Sequence, residues 1–575
     1  MNDGSSRVSS TLRTWLLPLA VLLGSSVAVF VVTMVVDTYD EPHAGAIWGL
    51  ILHPSPTSAL GALSNAAEVV AAVLGVAITV VAIVVELASN RYTHRITELF
   101  VAEPINFAVM GFFVVTAIQC LAISIVFDMS DHGVTGGFFP VVGAGVSLVM
   151  LALSLLMLLP YFAFVFEFLN PIAIVERIRR HTVDTIASKR AAWSVARKQQ
   201  EAIRGVEQLA DVALNAMANK DKGVSMASAD ALRTLLLDYQ KVRPSLEEGW
   251  YTVEGELAHN ADFVSMSPDV LESVTERKNW LEMKIFRQYQ MLYNEALNRM
   301  RDMNYLIAIN TRLIAEESLA QGDPQLFDLA VKFFNTYLRA TVNAKDVRTA
   351  YNVLNQYRLL AERSLPYGEG KHAVEIARYF KYYGGVSFNV KLPFILETAA
   401  YDLCALNELA YEQDSPAARE LLRIFLQVDR ESESEVQETS LRGVRKAQVK
   451  LATFYLLKGE ETLAREVFED MLSERPERLA SIRNELLAIQ SPEFWEISDR
   501  GVNFDYLPPK RKRRMLQFFG WFGDRLPPLP PRISSDAALR DTILPGSSSA
   551  GTVVAPESGE IPAGIGLGTD VEKPN

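Results

Sequence analysis

Apolar and polar positions are distributed unevenly along this chain. Four stretches in the first 168 residues are apolar for long enough to cross a bilayer: Thr14 to Val36, Val69 to Val85 with alanines leading into it, Ile105 to Phe127, and Phe138 to Leu159. A spanning helix needs about 20 such residues to cover about 30 Å of hydrocarbon. Thr14 to Val36 carries no charge and is too long for the apolar core of a signal peptide, so it reads as an uncleaved anchor. From Ile172 onward the apolar positions recur at helical spacing, with no run of strand-like alternation. The pattern predicts an all-α chain: a four-helix transmembrane bundle, then a cytoplasmic irregular α-solenoid and a disordered tail. The expected boundaries are a membrane domain over 1–168, connector helices over 169–269, a helical-repeat domain over 270–500, and a basic-aromatic segment with its tail over 501–575.

Charge gives the spans an orientation. Arg7 and Arg13 precede the first span, Arg91 and Arg95 lie in the second loop, and Arg177, Arg179, Arg180, Lys189 and Arg190 follow the fourth. The first and third loops contain no Lys or Arg. Basic residues mark cytoplasmic loops, so both termini are expected inside a cell (inner) membrane. In the first outer loop, Ala44 to Leu52 is too short to span and is expected to lie in the interface, with Trp48 at headgroup level. The net charge of −12 argues against a general nucleic-acid binder. The two cysteines, Cys120 and Cys404, are placed too differently for a disulfide framework.

Within the spans, Ala67, Ala71, Gly75 and Thr79 recur every four residues, which suits close helix approach in lipid, either inside the bundle or against a second copy. The polar candidates are Glu68 and Glu86 at the two ends of the second span, Arg91 and Arg95 after it, and Gln119 deep in the third. Solvation and interhelical hydrogen bonding account for them, with an ion or proton pathway as the alternative.

After the second span the chain reads Leu87-Ala88-Ser89-Asn90-Arg91-Tyr92-Thr93-His94-Arg95, ending at Phe100. This resembles the signature of an uncharacterised bacterial family of four-span predicted membrane proteins. Leu87, Ala88, Ser89, Tyr92, Arg95 and Phe100 match, while Arg91 and His94 stand where that family tends to have Gln and Pro. A fainter echo lies at Leu209 to Leu214. The resemblance implies the layout of the spans and carries no activity with it.

Asn170-Pro171 is expected to restart the chain as one long helix from Ile172 to about Ala218, because the residue before proline avoids the helical region. Arg243 to Pro268 has weak periodicity and reads as a connector. Later turns are expected at Gly322-Asp323-Pro324, Pro366 to Gly370, Gly384-Gly385, Asp414 to Pro416 and Gly459. Between Gln448 and Pro476, the residues Leu451, Ala452, Tyr455, Gly459, Ala464, Phe468 and Pro476 fall where a pair of packed helices needs small residues, filling aromatics, a turn glycine and a terminal proline. In this the segment resembles a tetratricopeptide repeat. Looser matches lie around Phe327, Ala330, Phe334 and Tyr337 and around Ala418, Leu422 and Phe425. Such stacks bind peptides or proteins on a concave face, which Tyr379, Phe380, Tyr382 and Tyr383 either line or support as core.

Near the C-terminus a basic run, Lys510, Arg511, Lys512, Arg513 and Arg514, precedes Phe518, Phe519, Trp521 and Phe522. The favoured reading is contact with the anionic inner leaflet. An aromatic plug docking on the solenoid and a solvated charge run are the alternatives.

A search for chemistry returns little. Gly368-Glu369-Gly370-Lys371 lacks the first glycine and the Ser or Thr of a phosphate loop. His43, His53 and His132 share the outer side at irregular spacing. No catalytic residue, metal site or cofactor is assigned, and no enzymatic activity is expected. The leading expectation is a multipass membrane scaffold whose helical-repeat domain recruits a cytoplasmic protein partner. It contacts lipid but no nucleic acid, and a homo-oligomer is open. The alternative is an oligomeric channel or transport protein regulated by that domain.

Overall fold

The structure, a computed structural model, describes residues 56–91, 97, 100–101, 103–131, 141–188, 194–428, 441–494 and 499–529. Among them every regular element is a helix. The first expected span, Trp48, His43, His53, His132, Tyr92, His94, Arg95 and the tail beyond Leu529 lie outside the described residues.

Among the described residues three helices are long and apolar enough to cross a membrane: α1 (Pro56–Arg91), α2 (Pro104–Asp131) and α3 (Val141–Phe168). Each packs on the other two. On α1 the buried positions Leu63, Ala67, Val70, Ala77, Val81 and Val85 recur at helical spacing and so form one face. The outward surfaces carry Val76, Ile83, Phe107, Ile118, Val149 and Phe166, all exposed. So much outward apolar surface, on helices long enough to span, suits a hydrocarbon surrounding. Pro160 lies inside α3 without ending it, as membrane helices tolerate. At 1.5 Å per residue the 36 residues of α1 extend about 54 Å, well past the hydrocarbon.

Asn170 restarts the chain as expected: its side chain accepts a hydrogen bond from the Ile172 amide at 3.1 Å, and Pro171 opens α4 (Pro171–Ala187). The single long helix expected beyond it is corrected to two. Ser188 ends α4, and the Ser194 hydroxyl caps α5 (Val195–Ala218), accepting from the Arg197 amide at 3.3 Å. Helix α6 (Lys222–Val242) completes a three-helix layer, each member packed on the others.

The connector after α6 is not a loose linker. Trp250, Tyr251, Leu257 and Phe263 are buried. The Trp250 indole donates to the Tyr239 hydroxyl at 3.1 Å, and the Trp280 indole to the Trp250 carbonyl at 2.7 Å. Aromatic anchors with partners for their N–H groups fix this segment without helical periodicity.

The following helices stack in order: α7 (Pro268–Glu276), α8 (Trp280–Ala296), α9 (Arg301–Gln321), α10 (Pro324–Asn343), α11 (Val347–Ser364), α12 (Lys371–Asn389), α13 (Pro393–Glu412) and α14 (Ala418–Phe425). From α9 to α14 each packs on the next and the next but one, the contact pattern of a helical stack. Stacked aromatics fill the layers, with Tyr293 against Tyr337 at 4.6 Å and Phe334 against Tyr357 at 4.7 Å. Gly322 ends α9 in the left-handed conformation, and Asp323 caps α10. The turn expected at Gly384-Gly385 is corrected: both lie inside α12. A Cβ at Gly384 would stand 2.9 Å from Leu396 Cδ1, so this glycine admits α13 at close range.

Two buried charge clusters tie the layers. Lys284 on α8 donates to Glu207 of α5 at 2.6 Å and to Asp262 and Asn260 of the connector at 2.5 and 2.8 Å. Glu282, fully buried, accepts from Gln240 at 2.9 Å and lies 3.3 Å from Arg243, which also pairs with Asp323 at 2.7 Å.

The chain divides after Glu433 into two compact units. The second contains α15 (Leu441–Lys458), α16 (Glu461–Asp470), α17 (Pro476–Ala488) and α18 (Pro509–Gly520). Leu451, Ala452, Tyr455 and Ala464 are buried between α15 and its neighbours, Phe468 is half-buried, Gly459 makes the left-handed turn, and Pro476 opens α17. Arg445 is buried with Glu474 at 2.8 Å and Asp470 at 2.9 Å. The boundary expected at 500 is corrected here, because α18 packs on α15 and α17 as part of the same unit.

Candidate functional site

The polar residues of the spans separate into two groups. Glu68 and Glu86 are exposed on α1, and Gln119 is half-buried on α2. The interhelical hydrogen bond expected of Gln119 is made by its neighbour on the same helix: the Ser154 hydroxyl of α3 donates to Thr116 at 3.2 Å. One end further along the same seam, the Tyr161 hydroxyl donates to the Asn106 side chain at 3.2 Å. Asn106 in turn donates to the Phe100 carbonyl. Of the small-residue face on α1, Ala67 is buried, whereas Ala71, Gly75 and Thr79 are exposed; the Thr79 hydroxyl donates to the Gly75 carbonyl at 2.8 Å.

A further set of interactions lies where the spans meet α4 to α6. Phe100 is buried and meets Phe168, the last residue of α3, edge-on at 5.3 Å. The Arg177 guanidinium of α4 lies over the Phe168 ring at 4.1 Å, and its Nε is 3.8 Å from Glu103. Burial lowers the pKa of Arg177 below its ordinary value, against the pull of Glu103 and Glu167. Arg91, the last residue of α1, reaches Asp221 at 3.6 Å. Asp221 also caps α6, accepting from the Val224 amide at 3.2 Å. Both ends of this pair are partly exposed, and such a pair contributes on the order of 1 kcal/mol or less. Its value is geometric: it joins the end of a span to the start of a helix in the next layer.

Behind the junction α4 is held firmly. Arg179 pairs with Glu176 at 2.7 Å and with Asp238 of α6. Hydrogen bonds from Arg179, opposed by burial and helped by Arg180, pull the Glu176 carboxyl down to about 2. Helices α4 and α5 touch at Gly205, where a Cβ would stand 2.0 Å from Thr182 Oγ1 and 2.9 Å from its Cβ. Gly205→Ala is therefore expected to force the two helices apart and cost about 1–3 kcal/mol, seen as earlier thermal unfolding of the full chain. Adding Thr182→Ala should restore part of the loss; no change in the single variant would show that the contact relaxes freely.

Sequence reasoning located this junction through Arg91 and Phe100 but missed their partners. Asp221 was legible as an Asp opening a helix. Glu103, Tyr161 and Phe168 carried no signal of their own, since their meaning comes from the packing of three helices.

The segment assigned to the inner leaflet is placed differently from the expectation. Lys510, Arg513 and Arg514 are exposed, and Arg511 and Trp521 are half-buried. Lys512, Phe518, Phe519 and Phe522 are buried, which corrects their assignment to a lipid surface. Lys512 donates to the carbonyls of Leu487 and Ile489 at 2.9 and 2.6 Å, satisfying the end of α17. Phe468 meets Phe522 at 4.6 Å and Trp521 at 5.6 Å, while Arg465 lies over Trp521 at 3.9 Å. Phe518 lies on α18 and Phe522 just beyond its end, and their rings meet at 5.9 Å. In the stack, Phe380 and Tyr383 are core, Tyr379 is half-buried and Tyr382 is exposed.

Residues 11–204 match the model of a family described as "Predicted membrane protein (DUF2254)". The matched stretch takes in α1 to α4 and runs into α5, so it contains most of the junction. No curated protein and no solved structure matches the chain.

Proposed function

We propose that this protein is a multipass membrane scaffold: its spans anchor a helical-repeat domain on the cytoplasmic face, where that domain binds a protein partner, and the chain itself catalyses no reaction. The observation that carries this reading is the junction. Arg91–Asp221 and the Arg177–Phe168–Glu103 cluster seat the extramembrane layer on the spans at fixed geometry, which suits a domain that must be presented. The cytoplasmic placement rests on loops that alternate between basic and free of Lys and Arg. The stacked helices α9 to α14 and the repeat-like pair α15–α16 supply the kind of surface on which helical repeats hold partners.

Chemical cross-linking of the full chain in its native membrane, followed by purification and mass spectrometry, tests this. The expected result is one recurrent cytoplasmic protein cross-linked to residues of α9 to α14. Cross-links confined to the chain and its own copies would remove the scaffold reading. Ion flux through the reconstituted chain that Gln119→Ala abolishes would replace it with the channel reading.

A further inference from the structure

We propose that Asp328, His372 and Glu375 bind a divalent first-row metal ion that clamps α10 to α12. His372 and Glu375 stand three residues apart near the start of α12 and therefore share a face. Asp328 lies on α10, the preceding layer. One ligand atom from each residue lies within 4.8 Å of the other two.

The surroundings support a cation here. Lys371 pairs with Glu369 at 3.5 Å and Arg378 with Glu420 at 3.0 Å, so the flanking cations of α12 are engaged elsewhere. Two converging carboxylates repel each other, and a dication between them reverses that cost. His372 is held against the Phe327 ring at 4.4 Å, which limits its rotation. The Tyr379 hydroxyl donates to Glu375 at 3.1 Å. An outer hydrogen bond of this kind orients a carboxylate ligand.

One imidazole and two carboxylates suit Zn²⁺, Co²⁺ or Mn²⁺, with water completing the shell on the exposed side of Glu375. Ligand atoms about 2.1 Å from such an ion sit roughly 3.4 Å apart, so modest side-chain rotation closes the site. No thiolate is involved, which separates this site from a closed structural zinc centre.

Titration of the untagged full chain in detergent with CoCl₂, followed by visible absorption and by thermal midpoint, tests the proposal. The expected result is one Co²⁺ per chain, displaced by Zn²⁺, with a rise in midpoint on binding. His372→Ala should lose both the absorption and the metal-dependent rise, whatever its midpoint without metal once the contact with Phe327 is gone. Tyr379→Phe should weaken binding roughly tenfold. Absence of binding by the wild-type chain overturns the proposal, as does Co²⁺ binding that His372→Ala leaves unchanged.

Discussion

Lys284→Met is expected to destabilise the extramembrane helices by about 3 kcal/mol, at the lower end of the range for breaking a buried ion pair. The Lys284 side chain is 1% exposed, and its ammonium is shared by Glu207, Asp262 and Asn260. Removing it leaves two carboxylates facing each other across α5 and the connector. Glu207 is 38% exposed and recovers some hydration, which keeps the loss from being larger. The loss should appear in urea unfolding of the full chain in detergent, followed by tryptophan fluorescence, because Trp250 and Trp280 are buried in the same layers. Neutralising the orphaned acids with Glu207→Gln and Asp262→Asn should return part of it. If Lys284→Met unfolds at the wild-type urea concentration, the cluster is not holding these layers together.

A second large effect is expected with pH. Burial raises the Glu282 carboxyl to about 7, against the lowering influence of Arg243 and the hydrogen bond from Gln240. Its ordinary value is 4.5. The folded state therefore holds this proton more tightly than the unfolded chain. The stability it contributes is complete below about pH 4.5 and is lost as pH rises to about 7, a change of about 3 kcal/mol. Other carboxylates titrate in the same range, so the useful quantity is a difference. The stability of Glu282→Gln minus that of the wild type should grow by that amount between pH 4.5 and 8, since glutamine keeps the shape without the charge. Parallel curves for the two chains would falsify the assignment. Arg243 retains Asp323 at 2.7 Å in the variant, so its own charge remains paired.

Much of the fold was legible because it rests on periodicity. Spans announce themselves by length and by absence of charge, and the stack by apolar positions at helical spacing. The turns at Gly322 and Gly459 were readable because a left-handed residue favours glycine. Gly384-Gly385 misled for the same reason: its glycines serve close packing against Leu396 and leave α12 unbroken. The connector at Trp250 and Phe263 was under-read because anchoring by isolated aromatics leaves no period. The basic-aromatic segment was half-read. Its composition fits a lipid surface, yet its helix face fits Phe468, and composition cannot distinguish those targets. At the junction, Arg91 was visible and Asp221 was not paired with it, because 130 residues separate them in the chain. Asp328 and His372 were invisible together for the same reason.

The seam between α2 and α3 carries one more consequence. Thr116–Ser154 and Asn106–Tyr161 are matched pairs well apart along two antiparallel helices. A slip of one turn, about 5.4 Å, would break both at once; Thr116, Ser154 and Asn106 would keep their bonds to the carbonyls of Phe112, Met150 and Phe100, while the Tyr161 hydroxyl would lose the partner it has in Asn106. The two bonds therefore favour the observed register over its one-turn neighbours. A displacement of Arg177 against Phe168 at the base of α3 would therefore meet resistance to sliding from both bonds at once.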